Sequence, residues 1–523
     1  MATPPHILWV DDEIDLLKPH ILLLENKGYA VDSVSNGSDA VEKVKQTDFD
    51  IILLDEQMPG MGGLDTLSAI KEVSPEVPVV LVTKSEEEDL MEEALGGQIS
   101  DYLTKPVNPS QILLTCKRLL ERSRLRAEKT SQRYMQSFAK ISQELNQRLS
   151  HTEWVDLYTE LVKYDIELEG DEGARQILSD QFSEANRVFG EFVENEYPYW
   201  IEACDSGDKQ ADRPILSHEL IPEFVIPQMS KDKPVIFFLI DCMRYDQWLA
   251  LEETLFPYFA MDKAFHYGIL PTATPYARNA IFSGLLPRDI AARHPRIWEE
   301  GEDDEHSRNR HEEEFLKSLM RRKFTDDVRI RYEKLLGKEE GQAFAKNVSA
   351  LLQHNLSAVV INFVDILAHS RSESAVLKEL APDERAYRAL TRTWFEHSWL
   401  LDAFKDLAEK DCTIVLTTDH GIIRSLHPTK VIGDRHTSTA LRYKYGRNLK
   451  ADERHAIFIE DPEPFGLPKN SMMTNYIIAK EDYYFVYPTN YNKYVELYND
   501  TLQHGGASME EMILPVITMR PKG

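Results

Sequence analysis

Between residues 6 and 120 the short apolar runs HILWV, DIILLDE, PVVLVTK and DYLTKP alternate with amphipathic stretches such as LLKPHILLLENKG. That alternation predicts βα units around a parallel sheet, because parallel strands need a crossover of helical length between them. A sheet of this kind gathers its ligands beyond the carboxyl ends of its strands. The polar residues fall there: Asp11 and Asp12 close the first run, Asp55 closes the third, Thr83 ends PVVLVT, and Lys105 precedes Pro106 in the fifth unit. One acidic residue at a strand end signifies only that a charge avoids burial. The complete ordered set signifies phosphoryl chemistry, in which a carboxylate accepts the group while a divalent cation offsets charge on the transferring oxygens.

These positions resemble the receiver domain of response regulators over residues 6–120. The resemblance implies that Asp55 is the phosphoacceptor, that Asp11, Asp12 and Asp55 hold Mg²⁺, and that Lys105 pairs with the acyl phosphate. It also implies that Thr83 turns toward the phosphoryl group and that the aromatic Tyr102 follows it. Glu56, Gln57 and Met58, just after the phosphoacceptor, leave the lifetime of the phosphorylated state open.

From about 122 to 215 the pattern becomes helical. Trp154, Leu157, Tyr158 and Leu161 recur at i, i+3, i+4 and i+7, and Val188, Phe189, Phe192 and Val193 repeat the two-turn stripe. The plainest reading is a helical bundle that connects, and helps to dimerise, its flanking domains. After residue 216 strand-like runs return as PVIFFLI, SAVVINFV, CTIVLTT and MILPVITM, three of them leading into Asp241, Asp365 and Asp419. The acidic run 299–314 reads as a solvated loop. The expected division is therefore 1–121, 122–215 and 216–523, in an α/β multidomain chain.

The last part offers the ligands of a two-metal phosphoryl-transfer site, in which two cations lie about 3.5–4 Å apart beside a nucleophile. Asp365 and His369 form D-x-x-x-H, Asp419 and His420 are adjacent in TTDHG, and His504 opens HGGASMEEMILP. Each short motif alone could be a turn or a strand exit; together they make two ligand sets. They resemble the alkaline phosphatase superfamily, in particular its PglZ-type domains, over about 220–523. The resemblance implies one zinc on Asp241, Thr274, Asp419 and His420, and another on Asp365, His369 and His504. Counting ten residues back from Gly284 of the Ser283–Gly284 pair, as in related diesterases and sulfatases, points to Thr274 as nucleophile. Thr272 stays an alternative. Arg278 then falls where sulfatases place an arginine that meets substrate. Arg244, Lys430, Arg435 and His436 are further basic candidates for phosphate, whereas Asp205, His306, His311 and His397 have no partner at a ligand spacing.

The formal charge of -28, from 88 acidic and 60 basic side chains, repels a nucleic-acid backbone and argues against duplex DNA as the main partner. No stretch approaches the ~20 apolar residues that span a bilayer, so a cytoplasmic location without membrane insertion is expected. Cys116, Cys204, Cys242 and Cys412 show no pair spacing and read as ordinary reduced thiols. In full, the chain resembles PorX-like response regulators: a CheY-like doubly wound receiver, a helical middle domain and an alkaline-phosphatase-superfamily α/β domain. That resemblance implies a cognate sensor histidine kinase, regulation of type 9 secretion, contact with an extracytoplasmic-function sigma factor and a homodimer on phosphorylation. Two functions are compatible with it. One is a zinc-dependent phosphodiesterase acting on small cyclic or linear oligonucleotides; the other is a zinc-stabilised scaffold that binds a sigma factor or secretion component without catalysis.

Overall fold

The computed structural model describes residues 4–75, 77–84, 99–168, 171–208, 210–230, 233–299, 310–434, 440–469 and 474–522. Arg435, His436, His306 and most of the acidic run lie outside them. The chain forms two compact units, Met1–Arg133 and Tyr134–Gly523.

In the first unit β1 (His6–Val10), β2 (Ala30–Val34), β3 (Ile51–Asp55), β4 (Val79–Thr83) and β5 (Asp101–Thr104) form one parallel sheet of order β2-β1-β3-β4-β5. Between them lie α1 (Lys18–Asn26), α2 (Gly37–Gln46) and α3 (Gly63–Val73). The strands are apolar throughout because both faces are covered. Leu8, Val10, Ile52, Leu54, Val79 and Leu81 fill one core, while Ile7, Trp9, Ile51, Leu53, Val80 and Val82 fill the other. The two-residue side-chain period thus sorts one continuous apolar run into two cores.

The helix α4 (Pro109–Leu145) is followed by α5 (His151–Glu167) and α6 (Glu172–Ser206). Ser150 starts α5 with a capping box: its hydroxyl accepts from the Glu153 N–H, and the Glu153 carboxylate accepts from the Ser150 N–H at 2.8 Å. The stripe Trp154, Leu157, Tyr158 and Leu161 is buried as its spacing predicts. It is buried against the C-terminal sheet, so that the helices and the sheet have one continuous core. Trp154 meets Phe189 at 5.2 Å, Trp200 meets Tyr267 at 5.5 Å, and the Tyr267 hydroxyl donates to the His151 carbonyl at 2.7 Å.

That sheet has the order β7-β11-β10-β6-β9-β8, from β6 (Val235–Ile240), β7 (Phe259–Tyr267), β8 (Ile330–Leu335), β9 (Leu356–Ile361), β10 (Thr413–Thr417) and β11 (Ile513–Pro521). Strands β10, β6, β9 and β8 are parallel, and β11 runs antiparallel to both β10 and β7. Among the described residues no helix is long and apolar enough to cross a membrane.

A polar clamp joins α6 to the turn before β11. Asn186 donates to both Glu510 carboxylate oxygens, at 3.2 and 3.0 Å, and accepts from the Met509 N–H at 2.8 Å. Burial, with Glu384 nearby, pushes the Glu510 carboxyl up to about 7. A raised carboxyl pKa favours the protonated form in the folded state, so the folded protein loses stability as pH rises from the unfolded value toward 7. Glu510→Gln is therefore expected to raise the unfolding midpoint at pH 8 and to leave it nearly unchanged at pH 4. Denaturation at the two pH values checks this, and an equal shift at both would refute it.

Candidate functional site

At the carboxyl end of the receiver sheet Asp11 and Asp55 are buried, and the Lys105 ammonium lies 2.9 Å from Asp11 Oδ2 and 3.0 Å from Asp55 Oδ2. Burial raises the Asp55 carboxyl above its usual range, against the hydrogen bond from Lys105, and the neighbouring Asp11 and Asp12 add to the rise. Burial opposes charge on Lys105, but its bonds to Asp11 and Asp55 hold its pKa above the ordinary value. A divalent cation would relieve this concentration of carboxylates, and Asp11, Asp12 and Asp55 supply the hard oxygen donors it prefers. Asp12 is exposed. Thr83 donates to Glu56. Tyr102 is 42% exposed. Gly63 is required beside the site, because a Cβ there would lie 2.5 Å from the Asp55 carbonyl oxygen.

In the second unit the ligand residues converge beyond β6, β9 and β10. Asp241 directly follows β6 and Asp419 follows β10 by two residues. Asp365 differs from the strand-end expectation: β9 stops at Ile361, and Asp365 sits in the first turn of α8 (Phe363–Glu373). The D-x-x-x-H spacing is thereby an i,i+4 pair on one helical face, with His369 Nε2 3.3 Å from Asp365 Oδ1. His504 follows a short strand, and its ring stacks on His420 with centroids 4.3 Å apart.

Two clusters result. The donor atoms of Asp241, Asp419 and His420 lie within 4.8 Å of one another, as do those of Asp365, His369 and His504. Both sets predicted from the sequence are brought together. Their surroundings suit cations. Asp241 is 1% exposed, and neither its Oδ1 nor His504 Nδ1 has a hydrogen-bond partner. Burial pushes the Asp241 carboxyl well above the usual range, opposed by Arg278 and supported by Asp419. For Asp419 burial acts in the same direction, but Arg278 and His420 overcome it and hold the group low. Burial, with the charge of His420, lowers the His504 imidazole to about 3, so it is a neutral donor.

The two threonines have different positions. Thr272 is fully buried; its hydroxyl donates to the Gly506 carbonyl at 2.7 Å and accepts from the Gly505 N–H at 3.2 Å. Thr274 begins α7 (Thr274–Ser283), and its Oγ1 lies 2.9 Å from His420 Nε2. From His266 to Ser283 every residue except Thr274 is buried.

Arg278 departs from the expected contact with substrate. It is wholly buried, with Nε 2.9 Å from Asp419 Oδ2, a second ion pair to Asp241 and a third to Glu312 at 3.5 Å. Its guanidinium neutralises carboxylates beneath the site, since an unpaired buried carboxylate is far costlier than a paired one. Arg244 is likewise buried and paired, with Asp246 at 2.7 Å and Glu384 at 3.2 Å. Lys430 lies over the Tyr491 ring.

Two residues at this site carried no signal in the sequence. Asn362 donates to Asp241 Oδ2 at 2.9 Å. Cys242, expected to be an ordinary thiol, lies inside the cluster with Sγ 3.3 Å from Asp365 Oδ1. Only the adjacency of Cys242 to Asp241 could have drawn attention to it.

Comparisons with known proteins agree with this arrangement. Residues 7–117 match the family model of the response regulator receiver domain, 124–201 that of the PorX response regulator linker domain, and 220–519 that of the BREX system PglZ alkaline phosphatase-like domain. The transcriptional regulatory protein ZraR of Klebsiella oxytoca is 39% identical over 119 residues, 23% of this chain and 27% of that protein. ResD of Bacillus subtilis, also a transcriptional regulatory protein, is 34% identical over 117 residues, 22% of this chain and 48% of that protein. The chain thus spans less than half the length of either relative. A CheY-like receiver domain protein from Methanospirillum hungatei is 27% identical, covering 23% of this chain and 95% of that one, with a TM-score of 0.22. With the PglZ model covering more than half of its length, the chain belongs to the PglZ alkaline phosphatase-like family and carries that domain in the order of PorX-like response regulators.

Proposed function

We propose that the chain is a phosphorylation-controlled, zinc-dependent phosphodiesterase whose substrates are small cyclic or linear oligonucleotides. The observation that carries the reading is Thr274: the single accessible residue of a buried run, aimed at His420 among two metal-type clusters.

A free hydroxyl is a weak nucleophile. Zinc held by Asp241, Thr274, Asp419 and His420, with a second held by Asp365, His369 and His504, would supply the Lewis acidity that activates Thr274 and offsets charge on the phosphoryl oxygens. Thr274 Oγ1 bonds to phosphorus as the ester bond breaks and the alcohol leaves, taking a proton; water then hydrolyses the phosphothreonine and restores the hydroxyl. The position of Thr274 at the first turn of α7 adds the positive end of a helix dipole. Arg278 positions Asp241 and Asp419 rather than touching substrate. The sequence offers no obvious additional ligand set for a third metal, which favours a diester over a monoester. Purified protein loaded with zinc is expected to cleave a bis-aryl phosphodiester and short oligonucleotides; full zinc occupancy without turnover would favour the scaffold function instead.

The receiver supports control of this site through Asp55. With acetyl phosphate and Mg²⁺ the chain is expected to gain one phosphoryl group and to shift toward a homodimer, whereas Asp55→Asn gains none and does not shift. Phosphate-affinity electrophoresis and size-exclusion chromatography read the two effects, and phosphorylation of Asp55→Asn would remove Asp55 as the acceptor. The order of its parts supports a place in type 9 secretion within the cytoplasm, with a cognate histidine kinase upstream and an extracytoplasmic-function sigma factor as partner.

A further inference from the structure

Cys242 stands among the groups around the two candidate zinc positions, and the reaction gives it no role. It directly follows Asp241 and has φ +64°, in the left-handed region where glycine is the unstrained choice. A side chain is nevertheless present, and it is completely buried.

Its sulfur lies between the two clusters, 3.6 Å from His420 Nδ1 and nearer to Asp365. Sγ is 3.3 Å from Asp365 Oδ1, and the same oxygen is 3.3 Å from His369 Nε2. Cys242, His420 and His504 also have donor atoms within 4.8 Å of one another, as do Asp241, Cys242 and Asp365. Metal–ligand bonds of about 2.0–2.3 Å put neighbouring donors of a tetrahedral zinc roughly 3.3–3.7 Å apart. Two of these separations, sulfur to carboxylate oxygen and that oxygen to imidazole nitrogen, thus already have the length of an edge of such a shell. An independent sign of a cation here is His504 Nδ1, a buried ring nitrogen without a hydrogen-bond partner, on a residue grouped both with the same sulfur and with Asp365 and His369.

We propose that Cys242 is the fourth protein ligand of the second metal, completing a set otherwise made of Asp365, His369 and His504. The inference rests on the two-metal reading of the site. On binding, the thiol proton passes to water and the thiolate takes up the cation's charge. A sulfur ligand biases the position toward zinc and other thiophilic ions and away from magnesium.

Cobalt(II), which substitutes for zinc and reports its ligands by absorption, tests this on the full chain stripped with a chelator and kept reduced with a phosphine. Wild-type protein is expected to show visible cobalt bands together with a thiolate-to-cobalt charge-transfer band in the near ultraviolet. Cys242→Gly, which suits the left-handed backbone, is expected to keep the visible bands and lose the charge-transfer band; Cys242→Ser should do the same with an unchanged circular dichroism spectrum. Cys204, close to His218 and Glu219, is the control thiol, and Cys204→Ser should retain the band. Visible cobalt absorption without the charge-transfer band in wild type, or a band that persists in Cys242→Gly, overturns the assignment while leaving the two-metal site intact. Failure to bind cobalt at all overturns both.

Discussion

Thr274→Ala is expected to lower phosphodiester turnover by at least about a thousandfold, the scale on which removal of a covalent nucleophile acts. Its Oγ1 meets His420, and Thr274 is the one residue of the run 266–283 that is not buried. Thr274→Ser should keep measurable turnover, since an oxygen remains at the same place. Thr272→Ala should behave differently. Its hydroxyl links Gly505 and Gly506, next to His504, so the loss is of about 1–3 kcal/mol of stability from buried backbone groups left without partners. Single-turnover kinetics, with acid trapping of the phosphorylated threonine, separates the two: label on Thr274 in wild type and none in Thr274→Ala. Equal turnover by Thr274→Ala and wild type, or label on Thr272, would move the nucleophile to the other hydroxyl.

The second large effect concerns Arg278. Replacing it with methionine keeps most of its volume but leaves Asp241, Asp419 and Glu312 buried without the guanidinium they share. Removing one partner of such a buried set costs about 3–5 kcal/mol. The metal-free protein should show this loss in denaturant unfolding. Zinc should recover part of it, because Asp241 and Asp419 gain a cation while Glu312 is left with Tyr332 and Lys334 as its described partners. An arginine that merely bound substrate would leave stability untouched and raise KM. Wild-type stability in metal-free Arg278→Met would therefore return Arg278 to the substrate side.

Much of the architecture was legible because the parallel strands write themselves as apolar runs and the polar residues that follow them are few. Asp11, Asp55, Thr83 and Lys105 could be placed at one sheet edge from that alone, and so could Asp241 and Asp419, whereas the division into two ligand sets came from the family resemblance and Asp365 proved to lie on a helix. Finer points depended on direction, which residue types do not encode. The segment Thr272-Ala273-Thr274 offers two hydroxyls, and only the start of α7 determines that one turns to Gly506 and the other to His420. Arg278 was misjudged because an arginine near phosphate chemistry suggests substrate, whereas three carboxylates from distant segments had already converged on it. Cys242 has no spacing signature, since its partner Asp365 is 123 residues away. Asn186 and Glu510 are 324 residues apart, so the junction of α6 with the sheet left no trace in local sequence.

That junction bears on descent. A sheet whose apolar face is completed by Trp154, Phe189 and Trp200 is not a portable cassette; recombination at residue 216 would part it from residues that share its interior. The heritable block is the helix pair together with the phosphatase-like sheet. The receiver, which holds two cores of its own, is the piece that ancestry could exchange freely.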